Sequence, residues 1–115
     1  IICDRSKPEL KDLNEKNAGE LYKNNVNICI CTDHPVVPIQ YLPTSAALCV
    51  KGGLQFDEAL KAITINAAEI IGIADKVGSI EIGKDADLQL YNTDNPLDIL
   101  SEPTLVMING KIIKQ

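Results

Sequence analysis

Asp33 is the side chain of this 115-residue sequence best placed by its neighbours to do chemistry. It follows Val26-Asn27-Ile28-Cys29-Ile30-Cys31-Thr32, a short, β-branched and mostly apolar run. Such a run predicts a strand buried on both faces, as in a parallel sheet covered by helices. Asp33 then stands at the strand's C-terminal end, before a loop that leads into a helix, where α/β-barrel enzymes build their active sites. The plainer alternative is that Asp33 caps the turn that follows, as Asp before Pro-rich loops often does. Spacing alone does not separate the two. His34 is a weaker candidate, because a lone His in a loop is more often exposed or hydrogen-bonding than a ligand. Cys29-x-Cys31 beside His34 invites a zinc site, but in a strand these Cα atoms lie ~6.6 Å apart, too far for easy chelation at ~2.3 Å per sulfur. Core thiols are the better reading.

Strand parity supports the placement of Asp33. Asn27, Cys29, Cys31 and Asp33 share one face, and Val26, Ile28, Ile30 and Thr32 the other. The smaller, more polar set suits a barrel interior, and the β-branched set suits a surrounding layer of helices.

The elements that must hold this strand are legible on both sides of it. Residues 7–12 are polar, contain Pro8 and read as a loop. From Asn14 to Asn24 a helix is expected, with Ala18, Leu21 and Tyr22 at helical spacing and Asn24-Asn25 as its stop. After the strand, Pro35, Pro38 and Pro43 constrain a loop before a helix near 43–52 that Gly52-Gly53 ends. A second helix, 56–65, puts Phe56, Ala59, Leu60 and Ile63 on one face. A third, near 67–72, opens with Asn66 and Glu69 at capping-box spacing, Asn66 being the expected cap.

From Asp75 onward the texture is that of a β module. Residues 78–83, 86–91 and 105–108 are short alternating runs punctuated by Gly, Asn and Pro, and four short strands are expected. Asn109-Gly110 is a strong hairpin signal that demands positive φ at both positions. A two-residue loop sets Ile108 against Lys111, Met107 against Ile112 and Val106 against Ile113, with apolar side chains on both faces. Four short strands from about 40 residues cannot cover such a hairpin, so partner strands are implied elsewhere.

Composition bounds the function. The 45% apolar content is that of a globular protein, and the length suits one modest domain. No apolar run approaches the ~20 residues of a membrane helix. With 16 acidic against 11 basic residues and a net charge of −5, a nucleic-acid partner is not expected. The first residues, Ile1-Ile2-Cys3-Asp4-Arg5, carry no initiator Met, basic leader or apolar signal core, so the chain reads as cut from something longer and not secreted. Cys3, Cys29, Cys31 and Cys49 are irregularly spaced among apolar neighbours and are expected to be reduced, buried thiols of a cytoplasmic protein.

Three stretches together resemble a family. They are residues 26–35 with the strand ending in Thr32-Asp33, then Ala62-Ile63-Thr64-Ile65-Asn66-Ala67-Ala68-Glu69-Ile70-Ile71-Gly72, then Val77-Gly78-Ser79-Ile80-Glu81-Ile82-Gly83-Lys84-Asp85-Ala86-Asp87-Leu88. Followed by Val106-Met107-Ile108-Asn109-Gly110-Lys111, they look like the C-terminal part of the amidohydrolase superfamily, in particular its imidazolonepropionase-like members. The resemblance covers nearly the whole chain. It implies an α/β architecture: the last strand and helices of a (β/α)8 barrel over residues 1–74, and the C-terminal strands of a composite β-sandwich over residues 75–115. It implies a hydrolase of C–N bonds in amides or cyclic amides, a small-molecule substrate and a divalent metal, with zinc expected. Asp33 matches the aspartate that closes the eighth barrel strand, and the resemblance gives it contact with the metal or its water and the part of proton shuttle. The Ala-x-Thr-x-Asn stretch matches a helix junction, so Thr64 and Asn66 are expected to cap and turn.

The departure from the family is large. There is no His-x-His pair, no bridging lysine and one histidine in all. A complete metal centre cannot be built from these residues, and the chain alone is expected to be inactive and to associate with itself through unpaired strands. The alternative from another class is a stand-alone, non-catalytic β-rich module that binds a partner.

Overall fold

The computed structural model describes residues 14–115. The loop expected at residues 7–12, and Cys3, lie outside these described residues.

Helix α1, Asn17–Lys23, is shorter than its apolar spacing suggested. The Asn14 side-chain oxygen accepts the Lys16 N–H at 3.0 Å before it, and the Asn24 amide donates to the Glu20 carbonyl at 2.8 Å after it. Asn25 then takes φ of 59°, a left-handed conformation that asparagine tolerates because its short polar side chain bonds locally. The chain leaves this turn as an extended segment, residues 26–32.

That segment is neither helix nor a ladder-paired strand. Its parity is as expected from Ile28 on, but burial on both faces is not found: Ile28, Ile30 and Thr32 are buried, whereas Val26, Asn27, Cys31 and Asp33 are exposed and Cys29 is half-buried among the described residues. The strand itself does not form among the described residues, because no other extended segment lies beside it. Cys49 is a buried thiol as expected, but Cys31 is not: it lies on the open face. No disulfide joins Cys29, Cys31 and Cys49 to one another.

Three further helices follow. After a 3-10 turn at Ile39–Tyr41 comes α2, Leu42–Lys51, opened by Pro43 in its first turn. It closes at Gly52-Gly53, where the Gly53 N–H reaches the Val50 carbonyl and the Leu54 N–H reaches that of Cys49. Helix α3, Phe56–Ala62, stops three residues before its expected end, and α4, Ile65–Ile70, starts at once. Ala59 is fully buried, with Phe56, Leu60 and Ile63 packed around the same core. That core joins Ala18 of α1, Ile28 and Ile30 of the extended segment, Ala46 and Cys49 of α2, and Ala62 of α3. Leu97, from the second half of the chain, inserts into it as well.

The second half has three strands, not four. Strands β1 (Leu88–Leu90), β2 (Leu105–Ile108) and β3 (Lys111–Lys114) form one antiparallel sheet in the order β1-β2-β3. Residues 78–83 are irregular, and Ile82 is fully exposed; apolar alternation there has no neighbour to pair with, and alternation without a partner does not make a ladder. The Asn109-Gly110 turn is as expected, with φ of 48° and 74°. Asp87 fastens it, its carboxylate accepting the Asn109 N–H at 2.7 Å. Ile108 pairs with Lys111 and Met107 with Ile112, but Val106 pairs with Lys114 and not Ile113, because the register shifts between Val106 and Met107. An irregularity there re-aims the side chains beyond it.

An open groove of about 740 Å³ separates α4 from the sheet, lined among others by Ile63, Ala67, Ile71, Leu88 and Met107. Gly78 crosses one wall of it at φ of 97°, where an added Cβ would stand 2.8 Å from the Ala68 Cβ and 3.0 Å from the Ile65 Cα. Gly78→Ala therefore meets both a strained backbone and an overpacked contact, and should destabilise by about 1–3 kcal/mol. A urea midpoint equal to that of the parent sequence would contradict this.

Candidate functional site

Asp33 is set in a tight turn. Its φ is 54°, a left-handed value in which Asp is enriched over most other residues. The Asp33 carbonyl accepts the Val36 N–H at 2.9 Å, and the Thr32 carbonyl accepts that of Val37 at 3.3 Å. The cis His34-Pro35 bond lies inside this turn. The turn is thus closed by the backbone of Asp33, and its carboxylate makes no hydrogen bond or ion pair with the described residues. Both Asp33 and His34 are exposed. The capping alternative finds no side-chain bond in its favour.

Beneath the turn, the extended segment is fastened along one edge by α3 and α4. The Ile30 N–H donates to the Ala62 carbonyl at 3.0 Å. The Asn66 side-chain amide donates to the Ile28 carbonyl at 3.3 Å, and the Asn27 amide donates to the Glu69 carboxylate at 3.3 Å. Asn66 and Glu69 therefore do not form the expected capping box. Thr64 precedes α4, its hydroxyl donating to the Leu60 carbonyl at 2.7 Å, and no side chain caps the helix. These tying residues were missed as a group in the sequence, although their motif stood out, because a side chain that bonds a distant backbone carries no local signature. Nearby, the Glu58 carboxylate accepts a hydrogen bond from Lys61 and holds its ammonium pKa above the ordinary value.

The donor chemistry here is that of one ligand. Asp33 offers an exposed carboxylate, and among the described residues no group of three His, Cys, Asp or Glu side chains stands close enough to hold a metal ion. A metal centre does not fit the described residues alone.

Comparison with known proteins bears on the whole chain. The amidohydrolase family model matches residues 5–113, and the chain belongs to the amidohydrolase family. It is 34% identical over 107 residues to imidazolonepropionase from Geobacillus thermodenitrificans, covering 84% of this chain and 25% of that relative. An amidohydrolase structure from Thermotoga maritima superimposes with a TM-score of 0.88 at 38% identity, over 97% of this chain and 29% of the other. An adenosine deaminase from Xanthomonas campestris, solved with bound zinc, gives a TM-score of 0.59 at 26% identity, over 82% of this chain and 27% of the other. The chain spans about a quarter of the length of these relatives. Its α/β architecture is of the TIM-barrel type that such neighbours imply. Members of this superfamily are generally metal-dependent.

Proposed function

We propose that this chain is the C-terminal part of a metal-dependent amidohydrolase that hydrolyses C–N bonds in amides or cyclic amides, with Asp33 as proton carrier and metal-facing carboxylate. The observation that carries the reading is the exposed Asp33 carboxylate at the end of the extended segment, without a partner among the described residues, in a chain of this family. In this reading residues 26–32 are the eighth barrel strand, residues 1–74 belong to the barrel, and residues 75–115 supply strands to a composite β-sandwich. Leu97 then ties the second unit to the helices of the first.

A divalent cation, with zinc expected, would supply Lewis acidity when bound and would lower the pKa of its water to about 7. Asp33 would be one of its holders, and the others would have to come from outside the described residues. Asp33 takes a proton from water as its oxygen attacks the amide carbon, and passes it to the nitrogen as the C–N bond breaks, leaving a carboxylic acid and an amine. The exposed turn gives the carboxylate room for both positions of that proton. The substrate is a small molecule, and a reducing, cytoplasmic setting is part of this reading, in keeping with no disulfide joining Cys29, Cys31 and Cys49 to one another. The alternative of a stand-alone β-rich binding module is not favoured, because the family match runs through the helical half and the sheet alike.

The hydrolytic step is tested by running the whole protein on a cyclic amide in oxygen-18 water. One labelled oxygen should enter the new carboxyl group; ring opening without label would contradict hydrolysis.

A further inference from the structure

We infer that Asn66 is a positioning residue for Asp33: it clamps the backbone of the segment that carries the carboxylate and so sets the height at which Asp33 meets its substrate. The inference rests on the proton-carrier reading of Asp33 given above.

The geometry is a sequence of three ties running antiparallel. Ile30 is bound to Ala62, Ile28 to Asn66 and Asn27 to Glu69, so the segment descends as the α3–α4 junction and α4 ascend. In extended backbone the polar groups of alternate residues point to the same edge. The Ile28 carbonyl and the Ile30 N–H are such a pair, and both are bonded by the helical junction. Side-chain burial fixes the segment in the perpendicular direction through Ile28, Ile30 and Thr32. Burial alone resists lifting of the segment but resists sliding poorly, since a slide by two residues again presents apolar side chains to the helices. The hydrogen bonds oppose that slide. Of the three, the Ile30 bond joins backbone to backbone, and the Asn27–Glu69 bond is exposed. The Asn66 bond is the part-buried one made by a side chain to backbone, at the interior of the junction.

The distance from Ile28 to Asp33 is five residues of nearly extended chain, stiffened by the turn bonds at Thr32 and Asp33. A shift at Ile28 is carried to the carboxylate. Misplacement of a reacting group by about 1 Å costs on the order of 100-fold in rate, so loss of the clamp should act on turnover more than on substrate binding.

The experiment uses the whole protein, with an imidazolone propionate as substrate. Asn66→Ala should lower kcat by roughly 10- to 100-fold, with KM within about two-fold, and should speed hydrogen exchange of the Ile30 amide. Asn66→Gln keeps an amide donor on a longer arm and should recover part of kcat. Asn66→Asp, which sets a carboxylate against the Ile28 carbonyl, should do no better than Ala. Normal kcat in Asn66→Ala, while Asp33→Asn is inactive, would overturn the clamp and leave the reading of Asp33 standing. Activity in Asp33→Asn would overturn that reading and the clamp with it. Should Asn66→Ala not fold, the Gln and Asp variants decide: kcat that follows melting temperature across them, with no difference traceable to the donor, would reduce Asn66 to a structural role and overturn the proposal.

Discussion

Asp33→Asn in the whole protein should leave the fold intact and cut turnover by two to four orders of magnitude, the range typical of a lost general base. The substitution is nearly isosteric, and the carboxylate makes no bond to the described residues that its loss would break. The asparagine amide can donate and accept hydrogen bonds, but it cannot take the proton from water or return it to nitrogen. The left-handed backbone at this position, φ of 54°, suits asparagine as well as aspartate. Stability should therefore be unchanged within about 0.5 kcal/mol, as for substitutions that touch no packed or bonded group. Steady-state kinetics and thermal melting on the same preparation check both halves. Near-normal turnover would show that Asp33 does not carry the proton.

The 115-residue chain on its own should not be a stable monomer. Ile80, Ile82, Ile99 and Leu100 are each more than three-quarters exposed. Ile112 and Ile113 of β3 are more than half exposed, on a strand whose outer edge has no partner among the described residues. The extended segment 26–32 has its second edge likewise unpaired by any described strand. Open edges and contiguous apolar surface drive association. Against this, ordering the chain costs ~1.5 kcal/mol per residue, which a small core offsets poorly. Light scattering should give the mass of a dimer or larger species, and melting should be shallow and early. A monodisperse monomer with a cooperative transition well above body temperature would contradict the expectation and favour the stand-alone module.

What could be read from the residues followed from local forces. The helical periodicities of α2 and α3 located both helices because their apolar faces meet the core they were assigned to, and Gly52-Gly53 stopped α2 for a local backbone reason. The alternation of residues 26–32 was legible for the same reason, since burial of Ile28, Ile30 and Thr32 needs only a helical layer on one side. Ladder formation was not, because it depends on a neighbouring strand, and none lies beside the segment among the described residues. Asn66 and Glu69 have the spacing of a capping box, yet tertiary bonds to Ile28 and Asn27 took both side chains. The Val106 register failed because a shift inside a hairpin leaves its turn signal untouched. Asp33 was singled out by its place after a strand-like run, and the structure sets it in a tight turn at the end of that run. The residues that hold its segment were not, since they lie about 30 to 40 positions away in the chain.

The central claim is that this chain brings Asp33 to a metal-dependent hydrolase of C–N bonds, and metal dependence of turnover tests it most directly. The whole protein should hydrolyse a cyclic amide, lose that activity on chelation, and regain it when zinc is added back. In the same assay Asp33→Asn should remain inactive with zinc restored. Full turnover in the chelated protein, or recovery of Asp33→Asn by added zinc, would contradict the account.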